Sequence, residues 1–351
     1  FPSTFRQAPI TPLLKKPTLN STLLENYRPV SLLPFIAKTL ERAVFNQVSA
    51  FLTQNNFLDS KQSGFRSGHS SETALLSVVE ALRLARVESK SSILILLDLS
   101  AAFDTVNHQI LLSTLLTKGI SGTALQWFEF HLSDRSFKVS WRGEVSKSHH
   151  LTTVVPQGSV LGPLLIQKHG FSYHCYADDT QLYLSFHPDD PTIAALISAC
   201  LTDISCWMKD HHLQLNLAKT ELLVVAANPS FYHNFTIQLG TSTITPSKTA
   251  RNLGVMIDDQ LTFLDHIVKI VQSCRFALFN IKKIRPFLSE HAVQLLVQAL
   301  VLSRLDYCNA LLAGLPASSI KPLQLIQKAA ARLIFNEPKR IQVTPLFINL
   351  H

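Results

Sequence analysis

Five consecutive aliphatic residues, Ile93–Leu97, run straight into an acid, Asp98. A run that short and that apolar reads as a strand buried on both faces. A carboxylate at its end is costly unless something compensates the charge. Phe171–Leu184 poses the same problem: it is apolar on both sides of two adjacent acids, Asp178 and Asp179, and reads as a hairpin turning at them. Neighbouring strand side chains point to opposite faces, so one acid of the pair can face Asp98 while the other points elsewhere. Two acids from two strands meeting at one spot is what a two-metal phosphoryl-transfer site needs, with ions roughly 4 Å apart stabilising the attacking and leaving oxygens. An Asp-Asp pair by itself is more often a plain turn, because Asp favours turns.

Composition narrows the setting. The chain has 351 residues, 46% hydrophobic, with 21 Phe; its mean hydropathy is +0.18. That excludes a disordered, collagen-like or low-complexity protein and allows two or three packed units. Five cysteines, no two at CxxC spacing, exclude a disulfide scaffold, argue against structural zinc, and read as reduced, buried thiols. No apolar run approaches the roughly 18 residues that span a bilayer, no signal peptide is evident, and no membrane partner is expected. The chain opens on Phe1 and holds only Met208 and Met256, so it is read as an excerpt of a longer frame. The net charge of +8 is uneven: residues 1–70 carry +5, residues 71–261 carry −4 and residues 262–351 carry +7. An acidic centre between basic arms suits a polyanion held by the arms, although Lys and Arg also simply keep an apolar surface soluble.

The periodicities place these features in an α+β chain. Residues 1–30 are Pro-rich and extended. Ile36–Thr53 and Thr73–Arg86 read as helices, with Ser60–Ser70 a polar turn region between them. Ile110–Leu116, Ala124–Leu132 and Thr192–Met208 read as further helices, and Phe137–Trp141 and Leu222–Ala226 as strands. Ile267, Ile270, Val271, Cys274, Ala277, Leu278 and Ile281 form a helical stripe that Pro286 stops. Ser289 then caps a helix that Gly314 closes.

Taken in order, eight stretches resemble one family. Tyr176-Ala177-Asp178-Asp179, preceded by Asp98-Leu99-Ser100-Ala101-Ala102-Phe103-Asp104 and by Pro156-Gln157-Gly158-Ser159, resembles the polymerase core of reverse transcriptases, and most closely that of the LINE-type (non-LTR) retrotransposon enzymes. Asn26-Tyr27-Arg28-Pro29-Val30-Ser31-Leu32 and Gln62-Ser63-Gly64-Phe65-Arg66 look like that family's fingers motifs. Leu215-Asn216-Leu217-Ala218-Lys219-Thr220-Glu221 looks like its fourth palm motif, and Asn252-Leu253-Gly254-Val255 like its primer grip. Leu305-Asp306-Tyr307-Cys308-Asn309 resembles a thumb segment of vertebrate elements.

The resemblance implies a right-hand polymerase fold: fingers over 1–92, a palm with an antiparallel sheet over 93–250, and primer grip and helical thumb over 251–351. It implies an RNA-directed DNA polymerase with an RNA template, a DNA primer and deoxynucleotides as partners. Two Mg²⁺ ions, which Mn²⁺ can replace, would be held by Asp98, Asp178, the Leu99 carbonyl and, less directly, Asp179. Phe103 matches the steric gate against a 2′-hydroxyl, and Gln157 and Gly158 match the nucleotide-pocket loop. Arg66 and Arg28 match positions facing triphosphate or template, and Lys219 matches a lysine that protonates the leaving pyrophosphate. Asp104 is expected to be structural. Gly254 would shape the primer-grip turn, while Arg275 with Lys282, and Lys328 with Arg332, would meet duplex phosphates from two helix faces. The family's lifestyle implies a cytoplasmic ribonucleoprotein that acts in the nucleus.

One departure stands out. Gly162-Pro163-Leu164-Leu165 runs straight into Ile166-Gln167-Lys168-His169-Gly170, where the family has a longer helix, so about ten residues, some 15 Å of helical rise, are read as missing. This opens a second reading: a catalytically impaired, non-enzymatic nucleic-acid-binding remnant. A third is a pseudogene product that does not fold. A ribonuclease H fold also gathers acids around two metals, but would need neither the Pro-Gln-Gly loop nor a basic helical C-terminus.

Overall fold

The computed structural model describes residues 7–32, 34–100, 108–133, 135–150, 170–177, 179–210, 214–216, 219–228, 236–239 and 242–348. In chain order the principal elements of the first half are β1 (Gln7–Leu14), β2 (Tyr27–Ser31), α1 (Phe35–Gln54), α2 (Ser71–Val87), β3 (Ser91–Leu97), α3 (His108–Thr117), α4 (Gly122–Leu132) and β4 (Ser136–Trp141). There follow β5 (Ser172–Tyr176), β6 (Asp179–Phe186), α5 (Ile193–Asp210), β7 (Glu221–Val225), β8 (Thr249–Asn252), β9 (Val255–Asp258), α6 (Leu264–Ile284), α7 (Glu290–Val297), α8 (Ala317–Ile334) and α9 (Thr344–Ile348). The chain divides into two compact units. One is drawn from Phe1–Ser60, Leu99–Val160 and Trp207–Gln214, the other from Lys61–Asp98, Leu161–Cys206 and Leu215–His351.

In the first unit β1 pairs antiparallel with β2 and parallel with β4. The Pro-rich opening is thus a sheet, and its prolines are placed to allow it. Leu32 N donates to Pro9 O (2.9 Å) and Lys15 N to Asn26 O (2.8 Å). These bonds fix which rungs are hydrogen-bonded and leave Pro12 opposite Pro29 on a rung that needs no donor. On α4, His131 stacks on Trp127 (4.8 Å between centroids) and lies 3.7 Å from Glu41 of α1.

The second unit carries a four-stranded antiparallel sheet in the order β7-β3-β6-β5. Residues Ile93, Leu94, Ile95 and Leu97 of the central strand β3 are buried, as the unbroken aliphatic run requires. Helix α2 begins at a capping box, with Ser70 Oγ accepting from Thr73 N (3.1 Å) and Thr73 Oγ1 from Ser70 N (2.9 Å). Its buried face, Leu75, Val78, Val79 and Leu82, joins one core with Leu94 of β3 and with Ile267, Ile270, Cys274 and Val297 of the C-terminal helices. The stripe from Ile267 to Ile281 is the buried face of α6, with Leu278 partly buried. Asp258 holds the turn that leads into that helix, accepting from Thr262 N (2.9 Å) and Phe263 N (2.6 Å).

Two expectations are corrected. Ser289 does cap α7, accepting from Ala292 N (3.2 Å), but no single helix runs on to Gly314. A π turn, Gln298–Leu302, and a short helix, Ser303–Asp306, follow; the chain then turns at Cys308, whose φ of 54° is left-handed. Pro286 does end α6, but within a 3₁₀ turn, Arg285–Phe287, that extends it. Among the described residues no helix is long and apolar enough to cross a membrane.

Candidate active site

Asp98 stands one residue beyond β3, half-buried. Its backbone carbonyl accepts from Asn216 N (2.9 Å), which ties the strand end to the segment before β7. The strand register explains the side-chain neighbours. Leu96 lies opposite Glu221, so two residues further along Asp98 faces Lys219. Lys219 Nζ donates to Asp98 Oδ2 at 2.9 Å, with Asn216 Nδ2 at 3.4 Å from the same oxygen. This ion pair compensates the charge that the end of an apolar strand would otherwise leave exposed to a low-dielectric surface. On the other side the register ends with Leu97 opposite Thr180, so Asp98, the next residue, adjoins the start of β6 at Asp179.

The β5–β6 hairpin closes where the acids predicted it, with Tyr176 paired to Asp179. Ala177 in the turn has φ = 56°, a left-handed conformation unusual for a residue with a Cβ. It is held from outside the hairpin. Gln62 Oε1 accepts from Ala177 N (3.0 Å) and from Gly64 N (2.7 Å), and Gln62 Nε2 donates to Ala177 O (3.3 Å). Ser63 N donates to Cys175 O (2.9 Å), Cys175 N to Lys61 O (2.8 Å), and Ser63 Oγ lies 2.8 Å from His174 Nε2. The segment Lys61–Gly64 thus runs alongside β5 as a short parallel bridge.

A cleft of about 260 Å³ opens beside Asp179, lined by Leu96, Thr180, Gln181, Arg251, Asn252 and Gly254. Its far wall is the β8–β9 hairpin, turning at Leu253 (φ 44°) and Gly254 (φ 88°). Two bonds fix this hairpin. Asn252 Nδ2 donates to Gln181 Oε1 (3.0 Å), both side chains being buried, and Arg251 N donates to Glu221 Oε2 (2.8 Å). From the thumb segment, Tyr307 Oη donates to Leu253 O (2.6 Å), and its ring would lie 3.4 Å from a Cβ at Gly254. Burial raises the pKa of the Tyr307 phenol, which keeps it a donor.

The other expected site residues fall as follows. Asp178, Phe103, Gln157 and Gly158, together with Asp104 and the segment from Gly162 to His169, lie outside the described residues. Leu99 opens a two-residue strand, Leu99–Ser100. Arg28 is exposed on β2 opposite Leu13, and Arg66 is half-buried in the turn before α2. Arg275 and Lys282 are exposed on α6, and Lys328 on α8. Arg332 is engaged with its own chain, its guanidinium donating to Ile341 O (3.3 and 3.1 Å). Gln62, Asn216, Gln181 and Tyr307 make the bonds that shape the site. The sequence carries three of them only as members of motifs, and a signal for Gln62 existed in the Gly two residues on, which marks a close backbone approach.

Asp98 and Asp179 are carboxylates, the hard oxygen donors that a hard divalent cation takes, although among the described residues no group of three such donors gathers at one point.

Residues 14–257 match the family described as reverse transcriptase (RNA-dependent DNA polymerase). The chain belongs to that family. It is 27% identical over 380 residues to the probable RNA-directed DNA polymerase from transposon BS of Drosophila melanogaster, covering 100% of this chain and 41% of that one. It is 28% identical over 343 residues to the corresponding protein from transposon X-element of the same organism, covering 93% and 37%. These relatives bear out the resemblance to the LINE-type enzymes, and the α+β polymerase fold follows with the family. The chain spans about two fifths of the length of the relatives it matches. Among solved structures, apo telomerase from Candida tropicalis, truncated from its C-terminal domain, is similar at 12% identity, covering 72% of this chain and 53% of that one, with a TM-score of 0.44. Within this chain the family match takes in Asp98, the hairpin and the β8–β9 turn, and ends before α6.

Proposed function

We propose that the chain is the polymerase core of a non-LTR retrotransposon reverse transcriptase. It would join a primer 3′-hydroxyl to the α-phosphate of a deoxynucleotide on an RNA template, releasing pyrophosphate. The observation that carries this reading is the register that ends with Leu97 opposite Thr180, so that Asp98 adjoins the start of β6 at Asp179, beside a cleft walled by the β8–β9 turn. Asp98, Asp178 and the Leu99 carbonyl would hold two Mg²⁺ ions, with Asp179 beside them. Bound there, the ions would supply positive charge to the attacking and leaving oxygens. The chain's own groups do the rest. The Leu253–Gly254 turn would seat the primer end, Phe103 would exclude a 2′-hydroxyl, and Gln157, Gly158, Arg66 and Arg28 would bind nucleotide or template. Lys219, paired with Asp98 in the free chain, would deliver a proton to the departing pyrophosphate once that carboxylate is otherwise engaged. Arg275, Lys282 and Lys328 would hold duplex phosphates without reading sequence. The lifestyle of such elements would place it in a cytoplasmic ribonucleoprotein and in the nucleus.

A second reading, a nucleic-acid-binding remnant, is supported by length. The match to the transposon BS protein extends over 380 positions although this chain has 351 residues, so the relative carries residues that this chain lacks. Primer extension on an RNA template, with Mg²⁺ and deoxynucleotides, separates the two. Incorporation that vanishes in Asp98→Ala establishes the polymerase. Salt-sensitive duplex binding with no incorporation from the folded wild-type chain establishes the remnant.

A further inference from the structure

The polymerase reading leaves the Lys61–Gly64 segment without a chemical task, yet this segment is bonded directly to the turn of the β5–β6 hairpin. Three observations converge on one atom group, the Ala177 peptide. The Gln62 amide closes on it from both sides, with Oε1 accepting from Ala177 N and Nε2 donating to Ala177 O. The same Oε1 also accepts from Gly64 N at 2.7 Å, so the side chain is pinned to its own backbone before it reaches the turn. Gly64 then packs so closely that a Cβ built on it would lie 2.3 Å from Ala177 N. No side chain other than hydrogen fits there without moving backbone.

Ala177 needs this support. At φ = 56° it occupies the left-handed region, which costs an L-residue roughly 1–2 kcal/mol relative to its preferred conformations. A two-residue hairpin turn uses such angles, but Asn or Gly usually supplies them. Here the residue is alanine, and the turn's conformation is stabilised from outside by a side chain 115 residues away. The peptide so held leads directly into Asp178 and Asp179.

We propose that Gln62 is a positioning residue for nucleotidyl transfer: with Gly64 it forms a bracket that fixes the Ala177 peptide and thereby the aim of the Asp179 carboxylate at the start of β6. It touches neither substrate nor reacting atoms. The amide is suited to this because it presents an acceptor and a donor together, which the peptide N–H and C=O require. Glutamate keeps the acceptor that makes the two shorter bonds and loses only the donor of the 3.3 Å one. Alanine loses all three.

The proposal rests on the polymerase reading, so the experiment carries one arm that does not. Wild type, Gln62→Glu and Gln62→Ala are compared by amide hydrogen exchange at Ala177, by primer–template affinity, and by single-nucleotide incorporation. The bracket predicts that Gln62→Ala loses protection at Ala177 by about tenfold, the worth of one hydrogen bond, while amides of β3 keep theirs. Primer–template affinity and the nucleotide KM stay within twofold, and kcat falls by roughly a hundredfold, as a displacement of about 1 Å at a reacting centre costs. Gln62→Glu recovers most of both the protection and kcat. A kcat unchanged in Gln62→Ala, a fall matched by a general loss of protection across the sheet, or a Gln62→Glu no better than alanine overturns the proposal. If the wild-type chain incorporates nothing, the polymerase reading fails. The exchange arm then decides alone, local loss at Ala177 supporting the bracket and unchanged protection refuting it.

Discussion

Replacing Gly64 by alanine adds one methyl group to a site with no room for it. The new Cβ would meet Ala177 N at 2.3 Å, Ala177 Cα at 2.9 Å and Ala177 Cβ at 3.1 Å, where ordinary contact begins at 3.4 Å. All three neighbours belong to one tightly held residue, so no flexible side-chain end can swing away. Relief requires the Lys61–Gly64 segment and the hairpin to part by about 1 Å, because close-packed interiors have no slack to absorb the difference. Overpacking of this kind costs about 1–3 kcal/mol. Parting also stretches the Gln62–Ala177 and Ser63–Cys175 bonds, each with a net worth of about 0.5–1.5 kcal/mol. Against this, Gly64 does not have a positive φ, so alanine restricts the unfolded chain and returns about 0.4–1 kcal/mol. The balance is a loss of about 2–4 kcal/mol, within the range reserved for named packing faults. Urea unfolding followed by circular dichroism measures it, with Gly68→Ala as the comparison. Gly68 has φ = 75° and nothing within 4 Å of a built Cβ, so its alanine variant bears backbone strain without a clash, about 1–2 kcal/mol. A Gly64→Ala chain as stable as wild type, or more stable than Gly68→Ala, would refute the reasoning.

Tyr307→Phe removes only the hydroxyl that donates to Leu253 O. It should cost about 1 kcal/mol in urea unfolding, and in primer extension it should raise the primer KM while leaving the nucleotide KM unchanged; equal movement of both would detach Tyr307 from the primer-grip turn. Stability should also fall with acidity. Burial first, and the neighbouring Arg135 charge second, push the His131 pKa down to about 4, and burial with Lys269 lowers that of His266, which accepts from Met256 N as a neutral ring. Both folded values lie below the unfolded one of about 6.5. The unfolded chain therefore binds more protons in that interval, and the stability present above pH 6.5 is lost as the pH falls toward 4. Thermal unfolding between about pH 7.5 and 5 should show a steeper decline in wild type than in His131→Gln, and parallel curves would contradict the assignment.

What the sequence makes legible here is local periodicity. The aliphatic run of β3, the hairpin around the paired acids and the stripe of α6 each repeat at the spacing of their own element, and each folds accordingly. Ser289 is legible for the same reason, since a cap acts within one turn. The helix from Ser289 toward Gly314 is not, because helical spacing does not record a five-residue π turn or the break at Cys308. Cross-chain bonds are the least legible. Lys219 meets Asp98 because of a strand register fixed by Leu222 and Ile95, and nothing near Lys219 in the sequence names its partner. Gln62 reaches the hairpin across 115 residues, and Arg332 spends its guanidinium on a carbonyl nine residues away where charge spacing alone suggested a phosphate.

The family match stops at residue 257, but the core that steadies the site does not. Helix α2 shows why. It holds the Ala310–Leu311 segment along its length: Glu72 in its first turn accepts from Ala310 N (2.9 Å), and Arg83, three turns on, donates to Leu311 O (3.1 Å). Near its C-terminal end, Arg86 spreads its guanidinium over the carbonyls of Ala226, Asp259 and Gln260, at 3.1, 3.1 and 2.8 Å. Burial lowers the Arg86 pKa while Asp258 and Asp259 oppose that shift, so the cation is retained where three acceptors need it. Between these anchors Leu75, Val78, Val79 and Leu82 pack in one cluster with Leu94 and Leu223 of the sheet and with Phe263, Ile267 and Val293 beyond it. The strand that ends in Asp98 and the Tyr307 that braces the Leu253 turn are therefore set by the same helix. The packing beneath this sheet depends on residues outside the matched region, and a fault in the C-terminal helices reaches the β3 end at Asp98 through α2.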